Sequence, residues 1–229
     1  MSTNQGVFIT FEGGDGAGKT THIRVLAQIL TDHGYEVVCT REPGNTAIGE
    51  KLREIVLDPA HAEMSDMCEL FIYEAARAQL VHEVIIPALN RGAVVLCDRF
   101  CDSTIAYQAY GRGIDESVVR TLNHIACSDV TPDRTIVMVA PSAEDGLKRA
   151  ACVANLDRLE SAGISFHARV NAAFMELAET DPARVRTVYS ETQISQTAQH
   201  VCEAVSDIFE WMQDVCIDDA YIASVDRRQ

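Results

Sequence analysis

Residues 13–20 read Gly-Gly-Asp-Gly-Ala-Gly-Lys-Thr. Glycine tolerates backbone conformations that turn successive N–H groups toward one point. Such a nest, followed by a helix N-terminus, favours an anion. The spacing fits G-x-x-x-x-G-K-[ST], in which the lysine reaches the β- and γ-phosphates of a nucleotide and the hydroxyl ligates magnesium. The candidate phosphate cradle is therefore Gly13, Gly14, Asp15, Gly16, Ala17, Gly18, Lys19, Thr20 and Thr21. The motif does not name a reaction. GTPases add an N-K-x-D guanine reader, and this chain has no Asn-Lys dipeptide. Partition ATPases place a lysine just after the first glycine of the loop, where this chain has Gly14. Asp15 is the unexpected member, an acid in a loop built for phosphates.

Four further stretches carry reactive side chains. Arg41-Glu42-Pro43-Gly44 follows an apolar run, and Arg53 sits in KLREIVLD. Tyr73 and Arg77 are four apart in YEAARAQ, which puts them on one helix face. DRFCDSTIAYQ, residues 98–108, follows a second apolar run.

The elements that must position these residues alternate. GVFITFE, EVVCT, AVVLCD (93–98), TIVMVA (135–140) and VRTVY read as strands. Between them lie helical patterns over THIRVLAQILTDHG, 46–57, about 67–90, 101–109 and 115–127, one from about Ala143, and others over 161–179 and 193–213. Strand–helix alternation implies a parallel sheet covered on both faces. Open sheets of this kind bind ligands at the carboxyl ends of their strands. Arg41, Asp98 and Arg99 fall at such ends.

The bulk properties exclude several classes. The 229 residues suit a globular chain, and no repeat or linker divides it. A net charge of −15, from 19 basic and 34 acidic residues, argues against a general nucleic-acid binder. No apolar run is long enough to span a membrane, and the N-terminus does not resemble a signal peptide. The eight cysteines are scattered without a C-x-x-C pair, so reduced thiols in a cytosolic protein are expected rather than a metal or redox site.

Taken together and in order, FEGGDGAGKTT, TREPG, EKLREIVLD, YEAARAQL, DRFCDSTIAYQ, GRGID and LDRLE resemble thymidylate kinases over roughly residues 7–210. These are P-loop enzymes that convert dTMP and ATP to dTDP and ADP. The resemblance implies a P-loop NTPase α/β fold with a five-stranded parallel sheet flanked by helices, and a short mobile lid at about 150–161. It also implies Mg²⁺ as cofactor, ATP and dTMP as partners, a homodimer and a cytoplasmic location, without nucleic acid or membrane. The catalytic domain would span 1–213, leaving 214–229 as a tail, either a flexible end or a terminal helix.

The resemblance also implies roles. Arg99 and Arg53 would hold the dTMP phosphate, the alternative for each being a surface ion pair. Arg41 joins the dTMP set. Tyr73, where the family has Phe, would stack on thymine; an isolated aromatic there would otherwise be core. Arg77 would hydrogen-bond the base, or else be a solvated helix charge. Ser103, Thr104, Tyr107 and Gln108 would line the same pocket, with Tyr107 crowding the sugar 2′ position; without the preceding Asp-Arg they would read as an ordinary helix start. Thr20 and Asp98 would serve the metal, Asp98 alternatively capping a helix. Asp15 would face the 3′-hydroxyl of dTMP, or else bond its own loop. Lys19, Asp15 and Arg99 would form the catalytic core.

The pattern departs from the family in places. Acid-loop members carry arginines in the lid, yet Ala151–Asn155 has none. Arg149 and Arg158 flank that gap and are the candidate substitutes for charge on the transferred phosphoryl group. The strand over 135–140 ends Val139-Ala140-Pro141 without the usual Asp, and Asn45 stands where the family has Gly. Two alternatives therefore stay open: a related kinase of different base preference, or a weakly active nucleotide-binding homologue.

Overall fold

The computed structural model describes residues 6–141 and 157–227. Five strands, β1 (Val7–Glu12), β2 (Val37–Arg41), β3 (Val94–Asp98), β4 (Arg134–Val139) and β5 (Val185–Tyr189), form one sheet in the order β2-β3-β1-β4-β5. Every pairing is parallel. Alternate residues face opposite sides of the sheet. Ile9, Phe11, Leu96, Ile136 and Met138 enter one core, while Phe8, Val95, Cys97 and Val137 enter packing on the other side.

The first face is covered by α1 (Lys19–Asp32), α7 (Ile194–Val205) and α8 (Asp219–Arg227). The second lies under α3 (Asp66–Leu80), α4 (Cys101–Thr104), α5 (Glu116–Cys127) and α6 (Ile164–Thr180). Helix α2 (Ala47–Leu57) packs on α3. Helix starts follow side-chain chemistry: Thr46 accepts from the Gly49 N–H at 2.9 Å, Ser65 from Cys68 and Asp115 from Ser117.

Three stretches differ from the sequence reading. The helix expected over 67–90 is continuous but widens into a π turn at Val81–Ile85 before resuming at Ile86–Asn90. Pro87 sits just beyond the widening; it lacks an N–H and crowds the carbonyl four residues back. The helix expected at 101–109 is mostly π-wound, from Ile105 to Gly111. The helix expected over 193–213 stops at Val205, and the chain turns so that Phe209 and Met212 enter the core on the α1 side.

The tail is not loose. Ile217, Ile222 and Val225 are buried, the Ile217 N–H donates to Gln199 Oε1 at 3.2 Å, and the Tyr221 hydroxyl donates to Asp32 at 3.2 Å. Of the two forms considered for 214–229, the structure has the helix. Among the described residues no helix is long and apolar enough to cross a membrane, and the seven described cysteines are free thiols. The helix expected from Ala143, the lid centre Ala151–Asn155, and Arg149 lie outside the described residues.

Candidate active site

The register sets three strand ends side by side: Asp98 of β3 pairs with Phe11 of β1 and with Arg41 of β2. The loops leaving these strands therefore share one rim of the sheet, and the motif residues ride on them.

The first loop joins β1 to α1. Gly13 adopts φ 115, and a Cβ there would stand 2.1 Å from the Met138 carbonyl oxygen, so no larger residue fits. Gly18, at φ 90, leads into α1, whose first turn carries Lys19, Thr20 and Thr21. Lys19 is buried and curls over the loop, donating to the carbonyls of Gly13 (3.1 Å) and Gly14 (2.8 Å). Burial, with Arg99 nearby, pushes its ammonium down to about 8. A phosphate at the loop would add negative charge beside this buried ammonium, beyond that of Asp98, Asp15 and Glu12.

Thr20 Oγ1 donates to Asp98 Oδ2 at 2.9 Å. These are hard oxygen donors, the kind magnesium takes. Among the described residues no group of three or more His, Cys, Asp or Glu gathers to hold a metal. An ion held largely by phosphate and water needs only one or two protein oxygens, so the pair fits magnesium bound with a nucleotide.

Arg99 opens the turn after β3 in a left-handed conformation, φ 68, with its N–H on the Phe11 carbonyl at 2.9 Å. Its guanidinium donates to the Gly13 carbonyl (3.0 Å), to Ser103 Oγ (3.2 Å) and to Asp15. The second oxygen of Asp15 accepts the Tyr107 hydroxyl at 3.0 Å. Burial pushes the Asp15 carboxyl up, but Arg99 and Lys19 outweigh it and hold the group below its usual value. Asp15 thus bonds outward, to Arg99 and Tyr107, across the rim from the phosphate loop.

Beyond Asp15 opens a cleft of ≈ 660 Å³, counting its solvent-open mouth. It is lined by Asp15, Arg53, Tyr73, Arg77, Arg99, Ser103, Thr104, Tyr107 and Gln108. Nine of the ten residues expected to hold the second substrate thus converge. The tenth, Arg41, is not in the lining; it pairs with Glu50 at 2.9 Å and shares Asn45 Oδ1. Asn45 adopts φ 57, a conformation asparagine tolerates better than most side chains, which accounts for an Asn where Gly was expected.

Arg77 is not a solvated helix charge. Its side chain is 2% exposed and its donors are engaged: Glu42 at 2.8 Å, Glu74 at 3.0 Å, Asn123 at 2.6 Å and Thr104 at 2.8 Å. Burial pushes the Glu42 carboxyl up to about 7 despite the facing guanidinium, and one oxygen each of Glu42 and Glu74 has no hydrogen-bond partner. Gln108 donates to Glu69 at 2.8 Å, and Arg53 to the Pro43 carbonyl at 2.9 Å.

The end of the lid segment closes one wall. Asp157 and Leu159 line the cleft. Arg158 is bound to Glu69, and its Nε donates to the Val56 carbonyl at 3.0 Å. Glu69 is fully buried and also takes Arg112 at 2.9 Å. Sequence reasoning did not single out Glu42 and Phe100, which line the cleft, or Glu12, which sits behind it. All three lie inside quoted motifs, next to Arg41, Arg99 and Gly13, and that adjacency was the available signal.

Comparison with known proteins agrees with this geometry. A family profile described as thymidylate kinase matches residues 11–201. A thymidylate kinase of Exiguobacterium sibiricum is 45% identical over 203 residues, covering 87% of this chain and 94% of that protein. One of Pelobacter propionicus is 46% identical over 206 residues, with 87% and 94% covered. The crystal structure of thymidylate kinase from Ehrlichia chaffeensis superposes with a TM-score of 0.72 at 32% identity, covering 88% of this chain and 98% of that one. Matched by the family profile over residues 11–201 and by relatives 45% and 46% identical, the chain belongs to the thymidylate kinase family.

Proposed function

We infer that the protein transfers the γ-phosphoryl group of ATP to the 5′-phosphate of dTMP, yielding dTDP and ADP. The observation that carries this reading is the junction at Asp15. One loop residue touches Arg99 and Tyr107, so the phosphate cradle and the cleft are contiguous.

In this reading Lys19 exchanges its bonds to the Gly13 and Gly14 carbonyls for the β- and γ-phosphates. Arg99 and Arg53 hold the acceptor phosphate as forked donors. An oxygen of that phosphate forms the new P–O bond as the bond from the γ-phosphorus to the bridging β-oxygen breaks. No covalent enzyme intermediate is needed, so the protein's contribution is positioning and charge. When bound at Thr20 and Asp98, magnesium supplies charge neutralisation among the phosphate oxygens. Asp15 accepts the 3′-hydroxyl of the deoxyribose, Tyr107 crowds its 2′ position, Tyr73 stacks on the thymine, and Arg77 reads the ring edge by exchanging its bond to Thr104 for one to the base. Arg158 or Arg149 covers charge on the transferred group. For Arg158 this means leaving Glu69.

The reaction fits a protein that serves dTTP synthesis in the cytoplasm. A homodimer is favoured by exposed apolar side chains on α3 and α5, Phe71 at 53% and Ile125 at 66%. The test is a coupled ATPase assay with dTMP, dUMP, dCMP and dGMP, on the parent and on Lys19→Ala. Turnover should be greatest with dTMP and lost in folded Lys19→Ala. Equal turnover on all four monophosphates would remove the thymine reading.

A further inference from the structure

Glu12 ends β1, behind the cleft rather than in it. It is fully buried, an expensive place for a carboxyl group. Its two oxygens have different partners. Oε1 accepts the Phe100 N–H at 2.8 Å, and Oε2 accepts the Ser103 hydroxyl. Phe100 lies in the turn that Arg99 opens in its left-handed conformation, and Ser103 in α4 directly after it.

The geometry gives each bond a task. Once Arg99 has turned, the Phe100 N–H points inward to the end of β1, where a buried donor without an acceptor is costly. Glu12 is that acceptor. Hydrogen-bonded to the same carboxyl, Ser103 Oγ keeps a lone pair to receive Arg99 Nη1 at 3.2 Å. The Arg99 guanidinium is thereby aimed at the Gly13 carbonyl and Asp15, where the loop meets the cleft. An apolar side chain would fill the space but hold neither donor.

We propose that Glu12 is a positioning residue for Arg99: by holding the Phe100 N–H and the Ser103 hydroxyl it fixes the guanidinium at the boundary between the phosphate loop and the cleft. This rests on the reading of Arg99 as a ligand of the acceptor phosphate.

Thymidine tests it, because it keeps the base and sugar of dTMP but lacks the phosphate. Calorimetric titrations of dTMP and thymidine are made on the parent, Glu12→Gln, Glu12→Ala, Arg99→Ala and Glu12→Ala/Arg99→Ala. Glutamine keeps an acceptor for Phe100 and presents an amide to Ser103. Arg99→Ala should weaken dTMP by about 30-fold or more and thymidine by less than about 3-fold, as for loss of a charged hydrogen-bonded pair. Glu12→Gln should weaken dTMP by about 10-fold and Glu12→Ala further, thymidine again changing little. The double variant should be no weaker for dTMP than Arg99→Ala, since residues acting through one another are non-additive. Equal weakening of dTMP and thymidine by Glu12→Gln would make Glu12 a packing residue and overturn the proposal, as would no change in either ligand. If Glu12→Ala does not fold, Glu12→Gln decides. Should Arg99→Ala itself weaken both ligands alike, the phosphate reading of Arg99 fails and the Glu12 role falls with it. That outcome is distinct from an Arg99 variant that discriminates while Glu12→Gln does not.

Discussion

Thr20, on the first turn of α1, and Asp98, at the end of β3, meet through a 2.9 Å hydrogen bond across 78 residues of sequence. Two hard oxygens are thus held side by side. If they serve magnesium, Thr20→Ala and Asp98→Asn should each raise the magnesium concentration for half-maximal velocity by about 10-fold or more. Titration of initial rate against magnesium at fixed ATP checks this. An unchanged midpoint in both variants would leave the pair as a structural tie between helix and sheet.

Arg77 is held between Glu42 and Glu74. Its removal strands two buried carboxylates, so Arg77→Ala should lose about 3–5 kcal/mol of unfolding free energy. In the folded fraction, dTMP should weaken by about 1.5–3 kcal/mol more than ATP. Denaturant unfolding and the two titrations measure these separately. Parent-like stability would contradict the network's role, and equal loss for both nucleotides would contradict base reading.

Asp15 already accepts from Tyr107 and Arg99, and a 3′-hydroxyl would be a further donor. Asp15→Ala should bring kcat/KM for dTMP and for its 3′-deoxy analogue together, closing a gap of about 10-fold or more. An unchanged ratio assigns the carboxylate to holding Arg99 alone.

Glu12 makes stability depend on pH in a definite direction. Burial, reinforced by Asp102, raises its carboxyl from 4.5 to about 8, against the opposing pull of Ser103, Arg99 and Phe100; Lys19 is a further charged neighbour. The folded state therefore keeps a proton that the unfolded chain has lost between these values. The stabilisation is complete below pH 4.5 and is lost as pH rises through about 8. Glu12→Gln stays neutral throughout, so its stability relative to the parent should rise across that window by on the order of a few kcal/mol. Melting temperatures of both proteins from pH 5 to 9 decide it, and a gap independent of pH would mean Glu12 is ionised when folded.

Arg158→Ala and Arg149→Ala address the lid. A contact made only in the transition state should cost about 10³-fold in kcat with little change in ATP affinity. Arg158 is the stronger candidate, being in the retained LDRLE motif and against the cleft wall. If both variants keep most of their kcat, the lid carries no catalytic arginine, and Val153→Arg should then speed the reaction.

The five strands were legible because each is a short β-branched run closed by turn residues, and the phosphate loop because its spacing follows from what a phosphate needs. Pitch was not legible. Apolar periodicity looks much the same through the π turns at Val81–Ile85 and Ile105–Gly111 as through an α-helix. Phe209 and Met212 continue a helical rhythm although the chain has already turned, since both ways of burying them give the same pattern. The tail helix offers only two buried apolar side chains, Ile222 and Val225. At the site, local motifs gave the residues but not their partners. Arg77 is bound by Glu42, 35 positions away, and by Asn123, 46 away, and only the fold brings these together. Glu12 stands inside the quoted FEGGDGAGKTT, but its partners lie 88 and 91 residues on.

The bond from Tyr107 to Asp15 also ties two binding equilibria into one. A nucleotide that reshapes the phosphate loop must act on a carboxylate anchored in the neighbouring cleft, and a ligand entering the cleft must act on the loop. Whatever factor ATP imposes on the affinity for dTMP, dTMP must return on the affinity for ATP. Together with Arg99, which bonds both the Gly13 carbonyl and Ser103, the Asp15 side chain is the bridge through which such coupling would pass. Exchanging its carboxylate should therefore change the synergy of the pair as well as the hold on the acceptor.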